Sequence, residues 1–271
     1  MLRRSDLALE NLPESGGVQG ILSCGYRRFG TAVTRVTVEG QPAAEAAKKP
    51  EGCYVTIETG AFGDPGCSRE GEIRAAAAEI RKLLPEEGTI LVAGLGNGDL
   101  TPDSLGPQTV KRILVTRGMS EAVRNRFGGK LRPVAAVISG VSGGTGMESS
   151  ELIAAVAESI RAAAVIAVDS LAARDARHLG RTIQISDSGI IPGSGIAGSG
   201  REVSARTIGV PVIAVGVPTV ADCESDGLHL SLTPRDIDVL IRRAAATVAD
   251  AVNLALQPVL TLSDLREIME G

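Results

Sequence analysis

Two aspartates in this chain each follow an apolar, strand-like run and could share a proton. Asp103 comes after TILVAGLG (89–96) and the glycine turn beyond it, and Asp169 closes AVIAVD (164–169). An acid at the end of an apolar strand is poorly solvated, so it needs a partner or titrates high. Two carboxylates brought together cannot both ionise. They hold one proton between them, so that one acts as general base toward a water and the other as general acid. That division suits hydrolysis of a peptide bond. Taken alone, Asp103 reads more readily as a helix N-cap, since it follows Thr101-Pro102 and precedes a helical segment from about Leu105.

Other chemistries compete for the same loops. The turn Gly94-Leu95-Gly96-Asn97-Gly98-Asp99 approaches a dinucleotide fingerprint, but Asp99 stands where the third glycine belongs and its charge opposes a pyrophosphate. Gly140-Val141-Ser142-Gly143-Gly144 matches the nucleophile elbow G-x-S-x-G, and Asp169 or Asp222 followed by His229 supplies the order Ser, Asp, His. With only two histidines and no HGG-type oxyanion loop upstream, Ser142 reads more readily as a turn residue. A metal could in principle gather Asp103, Asp169 and one of His178 or His229, but no H-E-x-x-H pair is present. The glycine turns at 94–98, 140–146 and 189–200 offer backbone N–H groups for an oxyanion, with Gly94, Gly96, Asn97, Gly143 and Gly144 as the named candidates.

The elements that must position these residues are legible as patterns. Residues 29–40 alternate like an antiparallel strand, with 53–59 as its neighbour. Helical spacing over 69–83 leads to the strand 89–96, a helix from about Leu105, and the strand 134–139. A helical stretch at 147–164 precedes 164–169, and 182–186 and 211–217 add strands. Thr233 as N-cap and Pro234 at the first position open an amphipathic helix over 233–256. Continuous apolar strands alternating with helices predict one α/β domain over 1–271, a mostly parallel sheet flanked by helices on both faces, with an N-terminal β extension. In such sheets chemistry collects beyond the carboxyl ends of the strands, where both aspartates lie.

Composition narrows the rest. With 33 glycines, 44% apolar residues and only 2% aromatics, the chain suits close-packed helices on strands and lacks stacking surfaces for single-stranded bases. A net charge of −4, spread along the chain, advertises no nucleic-acid face. Cys24, Cys53, Cys67 and Cys223 have no zinc-site spacing. The charged start has no apolar signal region, and no apolar run approaches the roughly 20 residues of a membrane span, so a soluble intracellular protein is expected.

Seven segments, taken in order, carry a resemblance. RRSDLALE, YVTIETG, VAGLGNGDLTPDSLGPQTVKRILVTR, SGVSGGTGMESSEL, IAVDSLAARDARHLGRTIQISDSGIIPGSGI, GVPVIAVGVPTVAD and LTPRDIDVLIRRAAATVADAVNLAL together resemble the germination proteases of endospore-forming bacteria, from Arg4 to about Gln257. The resemblance implies an endopeptidase that degrades the small acid-soluble spore proteins at germination, working in the spore core as a homo-oligomer (a tetramer in the family) without a cofactor. The family's two essential aspartates match Asp103 and Asp169. It also implies a zymogen that removes a short prosegment, here 1–6, by cutting between an acid and a large apolar residue, Asp6-Leu7, with Arg3 and Arg4 available to hold the prosegment. The hydrogenase maturation proteases share the fold, and their GxGN turn is similar to Gly94–Asp103. Their use of nickel leaves a metal-assisted reading open. Only Ala221 to Leu232 spans the gap before the last helix, shorter than in members of the family.

Overall fold

The computed structural model describes residues 5–11, 18–64, 66, 68–127, 129–193, 200–225 and 228–270, and for 222–231 and 270 the backbone alone. Arg3, Arg4 and Cys67, and the side chains of Asp222, Cys223 and His229, therefore lie outside the described residues. The N-terminal half carries β1 (Ile21–Arg28), β2 (Thr31–Val38), α1 (Gln41–Ala47), β3 (Gly52–Glu58), α2 (Glu70–Leu83) and β4 (Thr89–Leu95). Then come α3 (Leu105–Val110), α4 (Glu121–Arg126), β5 (Val134–Gly140), α5 (Ser142–Thr145) and α6 (Ser149–Ile160). The rest holds β6 (Ala162–Ala173), β7 (Thr182–Ser186), α7 (Ala205–Ile208), β8 (Val212–Ser225), β9 (Leu228–Leu232), α8 (Ile237–Leu256) and α9 (Leu262–Glu270).

The strands form one sheet in the order β1-β2-β3-β7-β8-β6-β4-β5, with β9 on β8. The group β8-β6-β4-β5 is parallel, and every pairing from β1 through β7 to β8 is antiparallel. The expected parallel sheet is thus the core that carries the site, and the expected β extension continues it edgewise. Alternation along the strands feeds both faces. Ile90, Val92, Ile166 and Val168 pack with Ile73 and Ile80 of α2 and Ile241, Val248 and Val252 of α8. Leu91, Ala93, Leu95, Val165 and Ala167 face the other way, onto Ile153 and Ala157 of α6 and Ile208 of α7. Burial on both faces is why these strands read as continuous apolar runs. No helix among the described residues is long and apolar enough to cross a membrane.

Several boundaries differ from the sequence pattern. The helix expected over 147–164 stops at Ile160, where Arg161 turns left-handed at φ 52°, and strand β6 starts at Ala162. Strand β6 also runs four residues past Asp169 rather than ending there. Helix α8 begins at Ile237 instead of after Thr233, because Pro234 sits in a turn whose carbonyl accepts the Ile237 N–H at 3.2 Å.

Close approach of α3 to the strands is set by two glycines. A Cβ at Gly94 would lie 2.5 Å from the Gly106 carbonyl oxygen. One at Gly106 would lie 2.3 Å from the Leu95 oxygen and 2.5 Å from that of Val168. We expect Gly106→Ala to cost the upper part of the ~1–3 kcal/mol usual for overpacking, since backbone rather than a movable side chain is struck. Thermal unfolding should then fall by roughly 5–10 °C. An unchanged Tm would mean that α3 can move off the strands without loss.

Candidate active site

Asp103 occupies a 3-10 turn, Thr101–Asp103, between β4 and α3. It does not cap α3 with its side chain. Its carboxylate turns back instead, and Oδ2 accepts the Asn97 N–H at 2.7 Å. Gly96, with φ 97°, makes room for this: a Cβ there would lie 2.2 Å from the Asp103 carbonyl oxygen and 3.0 Å from Oδ1. The turn is pinned from β8 by Thr219, whose hydroxyl donates to the Pro102 carbonyl at 2.7 Å. Asn97 also closes its own turn, accepting the Asp99 N–H at 2.9 Å.

Asp169 lies in β6, flanked by β8 with Gly216 as its register partner. Its exposure is 0%, against 5% for Asp103. Oδ1 accepts the Ser170 N–H at 2.8 Å, while Oδ2 is buried with no hydrogen-bond partner among the described residues. Burial, then the nearby charge of Asp103, push its carboxyl well above the usual aspartate range, and Asp6 adds to the push. The amides of Ser170 and Gly193 pull the other way. Asp103 is raised too, by burial, against the opposing Asn97 hydrogen bond. The fold therefore brings Asp103 within electrostatic reach of Asp169, in a poorly solvated place that favours the protonated form of the buried acid.

A cleft of about 300 Å³ opens over Asp103, lined also by Gly96, Asn97, Leu100, Gly140, Val141, Ser142, Glu148, Ser149, Pro192, Gly193 and Gly200. Of the glycine-turn candidates, Gly96 and Asn97 reach this cleft. Gly94 packs beneath it against Gly106. Gly143 and Gly144 sit on α5 away from the lining, and the Gly144 N–H is taken by the Val141 carbonyl at 2.9 Å. Ser142 lines the cleft, yet its hydroxyl has no histidine partner among the described residues. His178 is engaged elsewhere, its Nδ1 lying 2.6 Å from Glu10 Oε1. Among the described residues no three His, Cys, Asp or Glu side chains gather in a way that could hold a metal ion.

The N-terminal segment comes to this same end of β6. Leu7 is fully buried. The Asp6 N–H donates to the Ala172 carbonyl at 2.9 Å, and the Ala172 N–H returns a bond to Asp6 Oδ2 at 2.8 Å. Asp6 thus pairs with β6 three residues past Asp169 and its charge reaches that acid, but it lines a neighbouring pocket with Leu171, Gln184 and Gly216 and not the cleft over Asp103.

Comparison with known proteins decides the family. The germination protease family model matches residues 7–226. The chain belongs to the germination protease family. The germination protease of Caldanaerobacter subterraneus subsp. tengcongensis is 33% identical, the match covering 98% of both chains. That of Clostridium perfringens strain 13 is 33% identical over 88% of both, and that of Priestia megaterium is 36% identical over 88% of this chain and 65% of its own. Among solved structures, the [NiFe] hydrogenase maturation protease HycI from Thermococcus kodakarensis KOD1 is similar, with a TM-score of 0.38 and 15% identity over 64% of this chain and 98% of that one.

Sequence reasoning on this chain missed two contributors. Thr219 is one threonine among many in an apolar strand, and nothing local marks it as the clamp on the Pro102 turn. Gly193 fell within the glycine turn 189–200 that the sequence singled out, though not as a residue beside Asp169. Glu10 looked like the polar tail of a frayed start, and only its spacing of four from Asp6 could have drawn notice.

Asp169 makes a pH prediction. Its folded titration point is raised above the ordinary 3.8, so the folded state holds a proton that the unfolded chain has already released. Stability on this account falls as pH rises from about 3.8 toward the raised value, by at most about 1.4 kcal/mol per pH unit. We expect Asp169→Asn to raise Tm by a few degrees at pH 7 and to lose that advantage near pH 4. Calorimetry showing the same difference at both pH values would contradict a raised Asp169.

Proposed function

We propose that the chain is the spore endopeptidase the family name implies, cutting small acid-soluble spore proteins in the spore core with Asp103 and Asp169 as its acid–base pair. What supports this reading is a fully buried Asp169 whose carboxyl feels the charges of both Asp103 and Asp6, with Asp6 held on β6 at Ala172.

In this mechanism Asp103, which borders the cleft and whose charged form is steadied by the Asn97 N–H, is the base. It takes a proton from a water as the water oxygen attacks the scissile carbonyl carbon. Asp169, kept neutral by burial, is the acid of the pair and gives its proton toward the leaving amine nitrogen. The C–N bond breaks, and the proton taken by Asp103 restores the shared state. Such transfer is worth about 10²–10⁴-fold. The uncut N-terminal segment is then the enzyme's own first substrate, and residues 1–6 are its prosegment.

The test is mass spectrometry of a peptide spanning RRSDLALEN after incubation with the protein. We expect cleavage after the aspartate, reduced at least about hundredfold in Asp103→Asn and Asp169→Asn and unchanged in Ser142→Ala. Cleavage that survives both aspartate changes but not the serine change would move the chemistry to Ser142. In the same protein, intact mass should show loss of residues 1–6 on acidic incubation. Retention of the segment by an enzyme that cuts the peptide would remove the zymogen part of the reading.

A further inference from the structure

One hydroxyl interrupts an apolar row on β8. Ile213, Val215 and Val217 pack in the core with residues of α8, and the same alternation brings the fully buried Thr219 to that face. Valine has nearly the same shape, and burying a hydroxyl costs free energy unless it is bonded. The Thr219 hydroxyl donates to the Pro102 carbonyl at 2.7 Å. The backbone is shaped for that bond. Leu171 of β6 is the register partner of Pro218, and Ala172 is that of Val220, so Thr219 is an extra residue with no register partner across β6. A bulge of this kind bends the strand and re-aims the side chain it carries. The hydroxyl holds a peptide plane, because the Pro102 carbonyl and the Asp103 N–H belong to one rigid unit. The other end of that unit is fixed by the Asp103 N–H, which donates to the Leu100 carbonyl at 2.8 Å. The same strand also meets the second acid, since Gly216 is the register partner of Asp169. A Cβ at Gly216 would lie 2.8 Å from the Asp169 carbonyl oxygen. Strand β8 therefore reaches Asp169 through its backbone and Asp103 through Thr219.

We propose that Thr219 is a positioning residue: from the β8 bulge its hydroxyl fixes the Pro102–Asp103 peptide plane and so sets the distance between Asp103 and Asp169. The inference rests on the reading that these two acids act as a pair. Thr219 is fully buried and does not line the cleft over Asp103, so it touches no reacting atom. Its hydroxyl acts on the chemical step through Asp103 and leaves peptide binding alone.

The test compares Thr219→Val, which keeps the shape and removes the donor, with Thr219→Ser, which keeps the donor. Cleavage of the RRSDLALEN peptide by the full-length proteins is resolved into kcat and KM. We expect Thr219→Val to lower kcat at least about tenfold with KM within about twofold, and Thr219→Ser to stay within about threefold of the unaltered kcat. A folded Val variant with full activity, a change confined to KM, or an equal loss in the Ser variant would overturn the proposal. If Thr219→Val is unfolded by circular dichroism, Thr219→Cys, whose thiol is a weak donor, takes its place with the same expected and refuting results. A second readout needs no cleavage. The Asp169 carboxyl faces the charges of Asp103 and Asp6 and the amides of Ser170 and Gly193. Carbon-13 NMR gives the change in its titration midpoint when Asp103 is replaced by Asn. Freed of the Thr219 bond, Asp103 relaxes toward the cleft it borders, so we expect that change to shrink by about half in the Thr219→Val background. The same change in both backgrounds would refute the positioning role, whether or not the peptide is cut. A diminished change in a protein that never cuts the peptide keeps the positioning role and removes the peptidase reading.

Discussion

The arrangement depends on keeping a carboxyl group fully out of water in a strand interior, with a second carboxyl close enough to feel its charge. Asp169 has one oxygen satisfied by the Ser170 amide and the other left without a partner among the described residues. Burial of that kind is tolerated when the group stays neutral. Asp103, held by the Asn97 amide and bordering the cleft, is the member of the pair better able to carry the charge. The difference in environment, rather than any difference in residue type, sets the two carboxyls apart in their readiness to ionise.

Much of the surrounding structure serves to hold Asp103 over β6. Gly94 and Gly106 allow helix α3 to lie directly on the strands, and Gly96 lets the chain fold back under the acid. Thr219 reaches from β8 to clamp the Pro102 carbonyl. The antiparallel half of the sheet contributes differently. Buried Glu79 on α2 takes Lys82 at 2.8 Å and Arg28 at 3.5 Å, and also pairs with Arg35, which ties β1 and β2 to the helix layer. Burial would raise the Glu79 carboxyl, but Lys82, Arg35 and the Tyr26 hydroxyl hold it below its ordinary range.

The N-terminal segment joins function to fold. Strand β6 outruns β4, and an open strand edge invites another strand. Here the chain's own Asp6 covers that edge at Ala172, and a 3-10 turn over Ala8–Asn11 carries Glu10 to the Arg174 and Asp175 amides. Burial would lift the Glu10 carboxyl, but hydrogen bonds from His178, Ser5 and the Arg174 and Asp175 amides outweigh it and hold it below its ordinary range. The segment is therefore anchored most firmly while Glu10 is ionised.

Local pattern carried the elements far. Alternation in 29–40, helical spacing in 69–83 and the apolar runs at 89–96 and 164–169 each correspond to an observed element, because burial on one face or two writes itself into neighbouring residues. The two aspartates were legible for the same reason, as acids placed against apolar strands. Strand β1, the antiparallel direction of β7 and the late start of α8 were not legible, since partner choice and turn geometry depend on residues far away in the chain. The same holds for the site. The family motifs determined which acids and which bond to consider. Only the tertiary structure decided that β4 stops short of Ala172, that Thr219 clamps the Pro102 turn, and that Glu10 finds His178 across 168 residues. Hydrophobic periodicity is a property of adjacent residues, whereas a carboxylate's partners are set by which strand ends where.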